Sequence, residues 1–419
     1  MWAVNVLRSV RARAGHDSMA GMKADFLIAG GGIVGLTIAC ALLVRDPKAR
    51  VVVLEKEDVL GRHASGRNSG VLHSGIYYPA DTMKARACAS GARRLAAYCH
   101  EHKLPISHVG KLVVATSAAE SEALETYRQR ADALGVRAEW VEPARIHDIE
   151  PAAATGFAAL HLPDVAVIDA RRVLTQLADD ITGLGGRIRL GCRVTGVDAA
   201  ASVLHTSQGD MPFGQLINAT GAHVDRLAAA YGLAERYVLM PFMGRYFRLA
   251  GDSGLEVRGL IYPVPDARLP FLGIHFTRSV HGDVHVGPSA VPVLGREHYS
   301  LYRGIDWREL PGRLQLLAGL YAKNRQGFRL LAHREIRCLG RAHFAAEAAR
   351  LVPGLKPAHL QPCGKAGIRP QLFDRQKGEM VMDFLLETRG NALHVLNAIS
   401  PALTCSFSIA DHVVERITG

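Results

Sequence analysis

The sequence has no C-x-x-C pair, and its seven cysteines, at 40, 88, 99, 192, 338, 363 and 405, are scattered along 419 residues. That scatter excludes a disulfide framework and a thiolate zinc site, and it fits a reducing compartment. Long apolar runs are missing too. A stretch such as "IVGLTIACALLV", Ile33 to Val44, falls short of the roughly 20 residues that cross a bilayer, so no transmembrane helix is expected. There is no internal repeat, no low-complexity segment, no lysine-rich tail and no interleaving of aromatic and basic residues of the kind that binds RNA. Neither nucleic acid nor a metal ion is an expected ligand.

What is present is a folded, two-domain composition: 48% hydrophobic and 21% charged residues over a length too great for one core. The net charge of +11 is spread along the chain, which points to an anionic small molecule or cofactor more economically than to a macromolecule. The segment before Lys23 carries Arg8, Arg11 and Arg13 against a single acid, Asp17. It reads equally as a mitochondrial presequence or as residues ahead of a start at Met19 or Met22, and it is left out of fold reasoning. The expected location is accordingly cytoplasmic, with peripheral contact at an inner membrane an open alternative, and mitochondrial if the presequence reading holds.

From Asp25 the chain runs "DFLIAGGGIVGLTIACALLV": a short apolar strand, then Gly30-x-Gly32-x-x-Gly35, then an apolar helix. A second buried strand, "RVVVLEKE", places Glu55 twenty residues beyond Gly35. Strand, glycine turn, helix, strand and acid at this spacing form a dinucleotide-binding βαβ unit. Gly30 allows the tight turn, Gly32 lets the backbone approach a pyrophosphate, and Gly35 lets helix and strand pack closely. Glu55 accepts ribose hydroxyls and repels a 2′-phosphate, so the cofactor is FAD or NAD rather than NADP. A nicotinamide enzyme would continue with another crossover helix. Here "VLGRHASGRNSGVLHSG" follows at once, a small and polar loop suited to run along a second nucleotide half, with Asn68 and Ser69 as cofactor contacts.

The glycine motif, "VLEKE" and "SGRNSGVLHSGIYY" together resemble the D-amino-acid oxidase-like FAD superfamily, and "NSGVLHSGIYYPADTMKARAC" resembles its L-2-hydroxyglutarate dehydrogenase/oxidase branch. "LINATGAHVDRLA" (216–228), "PFLGIHFTR" (270–278), "GIRPQL" (367–372) and "HVLNAISPALTCSFSIADHV" (394–413) agree, so the resemblance spans nearly everything from Lys23 onward. One departure is "GRYFRL", where Arg245 stands in place of an acidic or neutral residue.

The resemblance implies an α/β fold in which a Rossmann-like FAD-binding domain (23–105, 156–236 and 356–419) is interleaved with a mixed-sheet substrate domain (106–155 and 237–355). It implies FAD as cofactor, with Val194 offering its backbone to adenine, Gly221 passing near the flavin, and Ser400, Leu403 and Thr404 presenting a helix start to the flavin pyrimidine. It implies oxidation of a small anionic L-2-hydroxy acid, with oxygen, a quinone or a carrier as electron acceptor. An amine or amino-acid oxidase of the same superfamily is the alternative.

Oxidising a 2-hydroxy acid requires a base for the hydroxyl proton and a cation for the carboxylate. His73 is the expected base, since histidine titrates near neutral pH; a covalent link to FAD and a plain backbone-bonded histidine are its rival readings. Arg369 in "GIRPQ" is the expected carboxylate clamp, because a guanidinium offers a fork that lysine lacks. Tyr77 and Tyr78 are expected to donate hydrogen bonds or line the pocket, one of the pair facing away because neighbours on an extended segment point oppositely. His275 and Arg245 complete the expected substrate set.

Overall fold

The computed structural model describes residues 23–419 apart from Tyr302; the expectations for the N-terminal segment lie outside the described residues. Ala24–Ala29 is the middle of a mostly parallel sheet. It pairs with Val51–Leu54 on one side (Ile28 opposite Val53) and Met211–Asn218 on the other (Ile28 opposite Ile217). "VVVL" is buried at every position, as a strand covered on both faces must be. Ala392–Asn397 adds a further parallel strand, with Leu385–Arg389 antiparallel at one edge and Arg187–Arg189 at the other. The Ile33–Arg45 helix buries eleven residues and packs against the helices Ala402–Thr418 and Ala170–Gly183.

The second sheet is mixed and holds ten strands among the described residues. Its spine is a long antiparallel pair, Tyr237–Leu249 with Leu360–Asp374, in register from Tyr237 opposite Asp374 to Leu249 opposite Leu360. Leu260–Pro263 pairs in parallel with Lys111–Val114, which pairs antiparallel with Ala159–Leu162. Two of these strands depart from the division read from the sequence: Ala159–Leu162 and Leu360–Asp374 sit in the second sheet, although the expected boundaries at 155 and 355 gave both to the nucleotide part. Strand partners are chosen across the fold by register and burial, and no local pattern carries that choice.

The parallel strands end together. Gly30, Glu55, Ala219 and Ala398, each the residue following a strand of the first sheet, all line one cleft that the second sheet closes from the opposite side. Ligands of open parallel sheets bind at this carboxyl end, where helix N-termini also converge.

Candidate active site

The cleft has a volume of about 620 Å³, within the range of small-molecule and cofactor sites. At its outer end the glycine turn is sterically forced. Gly30 has φ +115°, and a Cβ there would lie 2.3 Å from the Ala219 carbonyl oxygen. A Cβ on Gly35 would lie 2.0 Å from the Gly30 carbonyl oxygen. Gly32 caps the Ile33–Arg45 helix with no side-chain cap and no acid in its first turn, which leaves N–H groups and the positive end of the helix dipole facing the cleft. The Ile33 N–H donates to Ser65 Oγ (2.9 Å). Glu55 accepts from the N–H groups of Gly31 (3.1 Å) and Glu57 (3.0 Å), so the acid expected to meet a ribose braces the turn.

Asn68 and Ser69 line the cleft, but Asn68 is committed to shaping its loop. Its Nδ2 donates to the Ser65 carbonyl (2.7 Å), and its Oδ1 accepts from the Gly70 N–H (2.8 Å). Val194, Gly221, Ser400, Leu403 and Thr404 line the cleft as well. Thr404 ties two distant segments together: its hydroxyl accepts from the His73 N–H (3.1 Å) and donates to the Val71 carbonyl (3.2 Å). The Ala402–Thr418 helix also starts without a side-chain cap or an acid in its first turn, and among the described residues the acids lining the cleft, Glu55 and Glu297, are both already bonded. These features fit FAD, whose pyrophosphate the backbone N–H groups of the Gly30–Gly32 turn and the helix start behind it would hold.

A second network lies where residues following strands of the first sheet meet Glu297 of the second part. Lys56 Nζ bonds Glu57, Glu297 (2.7 Å) and His63 Nε2 (2.9 Å), and His223 Nε2 lies 3.0 Å from Glu297. Glu57, His63 and Glu297 are spaced as metal ligands would be, but the Lys56 ammonium already supplies the cation among them. Burial raises the Glu57 carboxyl, but hydrogen bonds and charge from Lys56 and His63 outweigh it and hold it down to about 2.

At the inner end, His73 and Arg369 line the cleft with Phe242 and Tyr246. Desolvation first, then the charges of Lys111, His275 and Arg369, push the His73 imidazole down to about 3, so it is neutral at neutral pH. Arg369 stands opposite Phe242 in the long strand pair, and its guanidinium lies 4.5 Å over the Phe271 ring. Among the described residues it has no carboxylate partner. Burial pushes the Tyr246 phenol up to about 12, so it stays protonated and able to donate.

The other expected substrate residues stand differently. His275 is buried behind the lining, stacked on Tyr262 at 3.9 Å, with Nδ1 donating to the Gly273 carbonyl (2.9 Å). Tyr77 packs edge-on to Tyr127, and its hydroxyl is buried with no hydrogen-bond partner among the described residues. Tyr78 lies beneath Lys84, whose Nζ is 4.9 Å from the ring and donates to the Met382 carbonyl (2.9 Å). Arg245 corrects the sequence reading. Gly244 and Tyr246 face the cleft, so alternation along the strand turns Arg245 to the opposite face, where its guanidinium donates to the carbonyls of Cys338 and Leu339 (3.4 and 3.3 Å).

Sequence reasoning missed Tyr246, which sits beside the suspected Arg245.

Comparison with known proteins agrees with this geometry. The model of the family described as FAD dependent oxidoreductase matches residues 25–416. The L-2-hydroxyglutarate dehydrogenase of Indibacter alkaliphilus is 36% identical over 403 residues, covering 94% of this chain and 98% of that one. That of Escherichia coli K12 is 34% identical over 398 residues, covering 94% and 93%. Among solved structures, the dithionite-reduced, FAD-bound L-alpha-glycerophosphate oxidase of Mycoplasma pneumoniae has the same fold, with a TM-score of 0.72 at 22% identity over 95% of each chain.

Proposed function

The chain belongs to the FAD dependent oxidoreductase family, and from that premise we propose that it oxidises L-2-hydroxyglutarate to 2-oxoglutarate. The observation that carries this reading is the inner end of the cleft: a neutral histidine and a guanidinium with no carboxylate partner among the described residues share its wall. FAD, when bound, takes up the two electrons and the hydrogen of the substrate's α-carbon. Arg369 holds the carboxylate next to that carbon through its fork of N–H donors. His73 accepts the hydroxyl proton, for which it needs no prior deprotonation at neutral pH. Tyr246 donates to a substrate oxygen. The Arg369 guanidinium and the donors beside it suit a carboxylate-bearing substrate, and the name shared by the relatives, L-2-hydroxyglutarate dehydrogenase, favours a 2-hydroxy diacid over an amino acid. Electrons then pass to oxygen, a quinone or a carrier. A reducing compartment is supported by seven free thiols, six of them buried. Among the described residues no helix is long and apolar enough to cross a membrane.

Anaerobic mixing of the FAD-loaded protein with L-2-hydroxyglutarate, its D-enantiomer and L-lactate tests the reading. Bleaching of the flavin band by the L-diacid, with little from the other two, is the expected result. Bleaching by an L-amino acid and by none of the three would replace it with the amine-oxidising alternative.

A further inference from the structure

Large apolar side chains that face solvent gather on one short stretch of the chain: Trp307, Leu314, Tyr321, Leu330, Ile336 and Leu339. Trp307 is 73% exposed, Ile336 65% and Leu314 51%. The others among the described residues, Val59, Trp140, Leu190 and Met382, stand on four separate segments, as single exposed apolar residues ordinarily do. A concentration of them marks a surface that meets something.

The stretch folds into the helices Leu310–Lys323 and Phe328–Arg337. Their inner sides are accounted for, since Leu320, Phe328 and Leu331 are buried in one cluster with Phe242, Phe271 and Ala290. The outer side of the first helix breaks the usual pattern. The Leu310 N–H donates to the Asp306 carbonyl (3.0 Å), so the helical turn is already under way at Trp307. From there Trp307, Pro311, Leu314, Ala318 and Tyr321 recur at the spacing of a single helix face, and all are exposed, where a surface helix normally turns polar residues outward. Leu330 and Ile336 carry the apolar stripe onto the second helix, which is held alongside by the Tyr321 hydroxyl and His333 Nε2, 2.9 Å apart.

Charge around the stripe has one sign. Arg308, Lys323, Arg325, Arg329, Arg337 and Arg341 are all exposed, and no acid pairs with any of them among the described residues. The acids between Arg303 and Arg341 are each already bonded: Asp306 to Arg226, Glu309 to Arg296 (2.8 Å) and Glu335 to the Ala290 N–H (2.6 Å).

We propose that the outer face of these two helices docks on an anionic lipid bilayer, the apolar stripe entering the boundary between headgroups and acyl chains and the flanking cations meeting the lipid phosphates. Exposed apolar side chains on a helix face, bordered by arginine and lysine, are what such a surface binds. A second copy of this chain fits less well, because a two-fold contact sets the same patch against itself and would oppose six uncompensated cations with six more. The inference goes beyond the proposed reaction and does not rest on it. Phe242 and Ala290, which share the helices' inner cluster, line the cleft. Docking here would bring the cleft wall within roughly 10 Å of lipid, a helix diameter, which suits delivery of the flavin's electrons to an acceptor dissolved in the membrane.

The test is co-sedimentation of the FAD-loaded full chain with vesicles of phosphatidylcholine alone and of phosphatidylcholine mixed with phosphatidylglycerol. Wild type is expected to bind the mixed vesicles and not the neutral ones, and to release as salt is raised. Brominated acyl chains should quench its tryptophan fluorescence, and Trp307→Phe should lose that quenching. The double variants Lys323→Glu with Arg325→Glu, and Leu314→Ser with Ile336→Ser, are each expected to lower binding about tenfold or more. All four side chains are exposed, so flavin content and turnover with a soluble dye should hold. If the first pair does not fold, Arg337→Glu with Arg341→Glu reads the same loss. Failure to bind the mixed vesicles overturns the proposal, and so does equal binding to the neutral ones. Binding that both double variants keep would lie on another surface and overturns it too. Self-association abolished by Leu314→Ser with Ile336→Ser, in the absence of vesicle binding, would give the face to a second copy of the chain instead.

Discussion

His73 and Arg369 come from segments almost three hundred residues apart and meet on one cleft wall, and each can be removed without removing the other's support. His73→Ala leaves Thr404 bonded to the same backbone N–H, since the contact runs through the main chain. Turnover is expected to fall by about 10² or more with FAD retained, as flavin absorbance and steady-state rates together will show; near-normal turnover excludes His73 as the base. Arg369→Lys keeps the charge but loses the planar fork. KM for the L-diacid is expected to rise about tenfold or more and flavin reduction to slow, and unchanged kinetics would assign the carboxylate to another residue. Arg245 shows where residue-level reading fails. Its type suits an acid pocket, but side-chain direction on a strand is fixed by parity, and parity gave the cleft to its neighbours Gly244 and Tyr246.

At the scale of elements, the strand–turn–helix unit is the most legible part of the molecule because its sequence pattern is local. Gly35 is required by the Gly30 carbonyl five residues away and Glu55 follows directly on the strand that positions it, while the constraint on Gly30 comes from Ala219, which follows a strand far along the chain. Gly32→Val tests that unit. A Cβ at Gly32 would stand 3.0 Å from Ser65 Oγ, the atom that accepts the Ile33 N–H, and the larger side chain would cover the helix start. FAD content after purification is expected to drop severalfold or more while circular dichroism stays close to wild type. A normal flavin-to-protein ratio would move the pyrophosphate away from this turn. The long Tyr237–Leu249 and Leu360–Asp374 pair was not legible in the same way. Its glycine- and proline-bearing sequence resembles a cofactor segment, and only pairing across more than a hundred residues makes it the spine of the second sheet.

For the whole molecule, the two sheets enclose several histidines away from bulk water. Desolvation lowers His73 and His275 to about 3, and His285 and His394 to about 4. Each binds a proton more readily in the unfolded chain, near 6.5, than in the folded one. Their stabilising contribution is therefore complete above about pH 6.5 and is lost as pH falls from there toward 4. The unfolding temperature of the FAD-loaded protein is expected to drop by several degrees between pH 7.5 and 5.5, before ordinary carboxylates begin to protonate. A flat profile over that interval would mean that these imidazoles take up protons in the folded protein as readily as in the unfolded chain. The sequence by itself determined the cofactor class, the nucleotide turn and the two residues expected to act as base and clamp, because glycine spacing, a following acid and a family-like loop are short-range patterns. Tertiary contacts alone settled which sheet each later strand joins, that Arg245 faces away from the cleft and that Tyr246 lines it. Those outcomes depend on strand register and on what is buried against what, and both are settled by contacts between residues far apart in the chain.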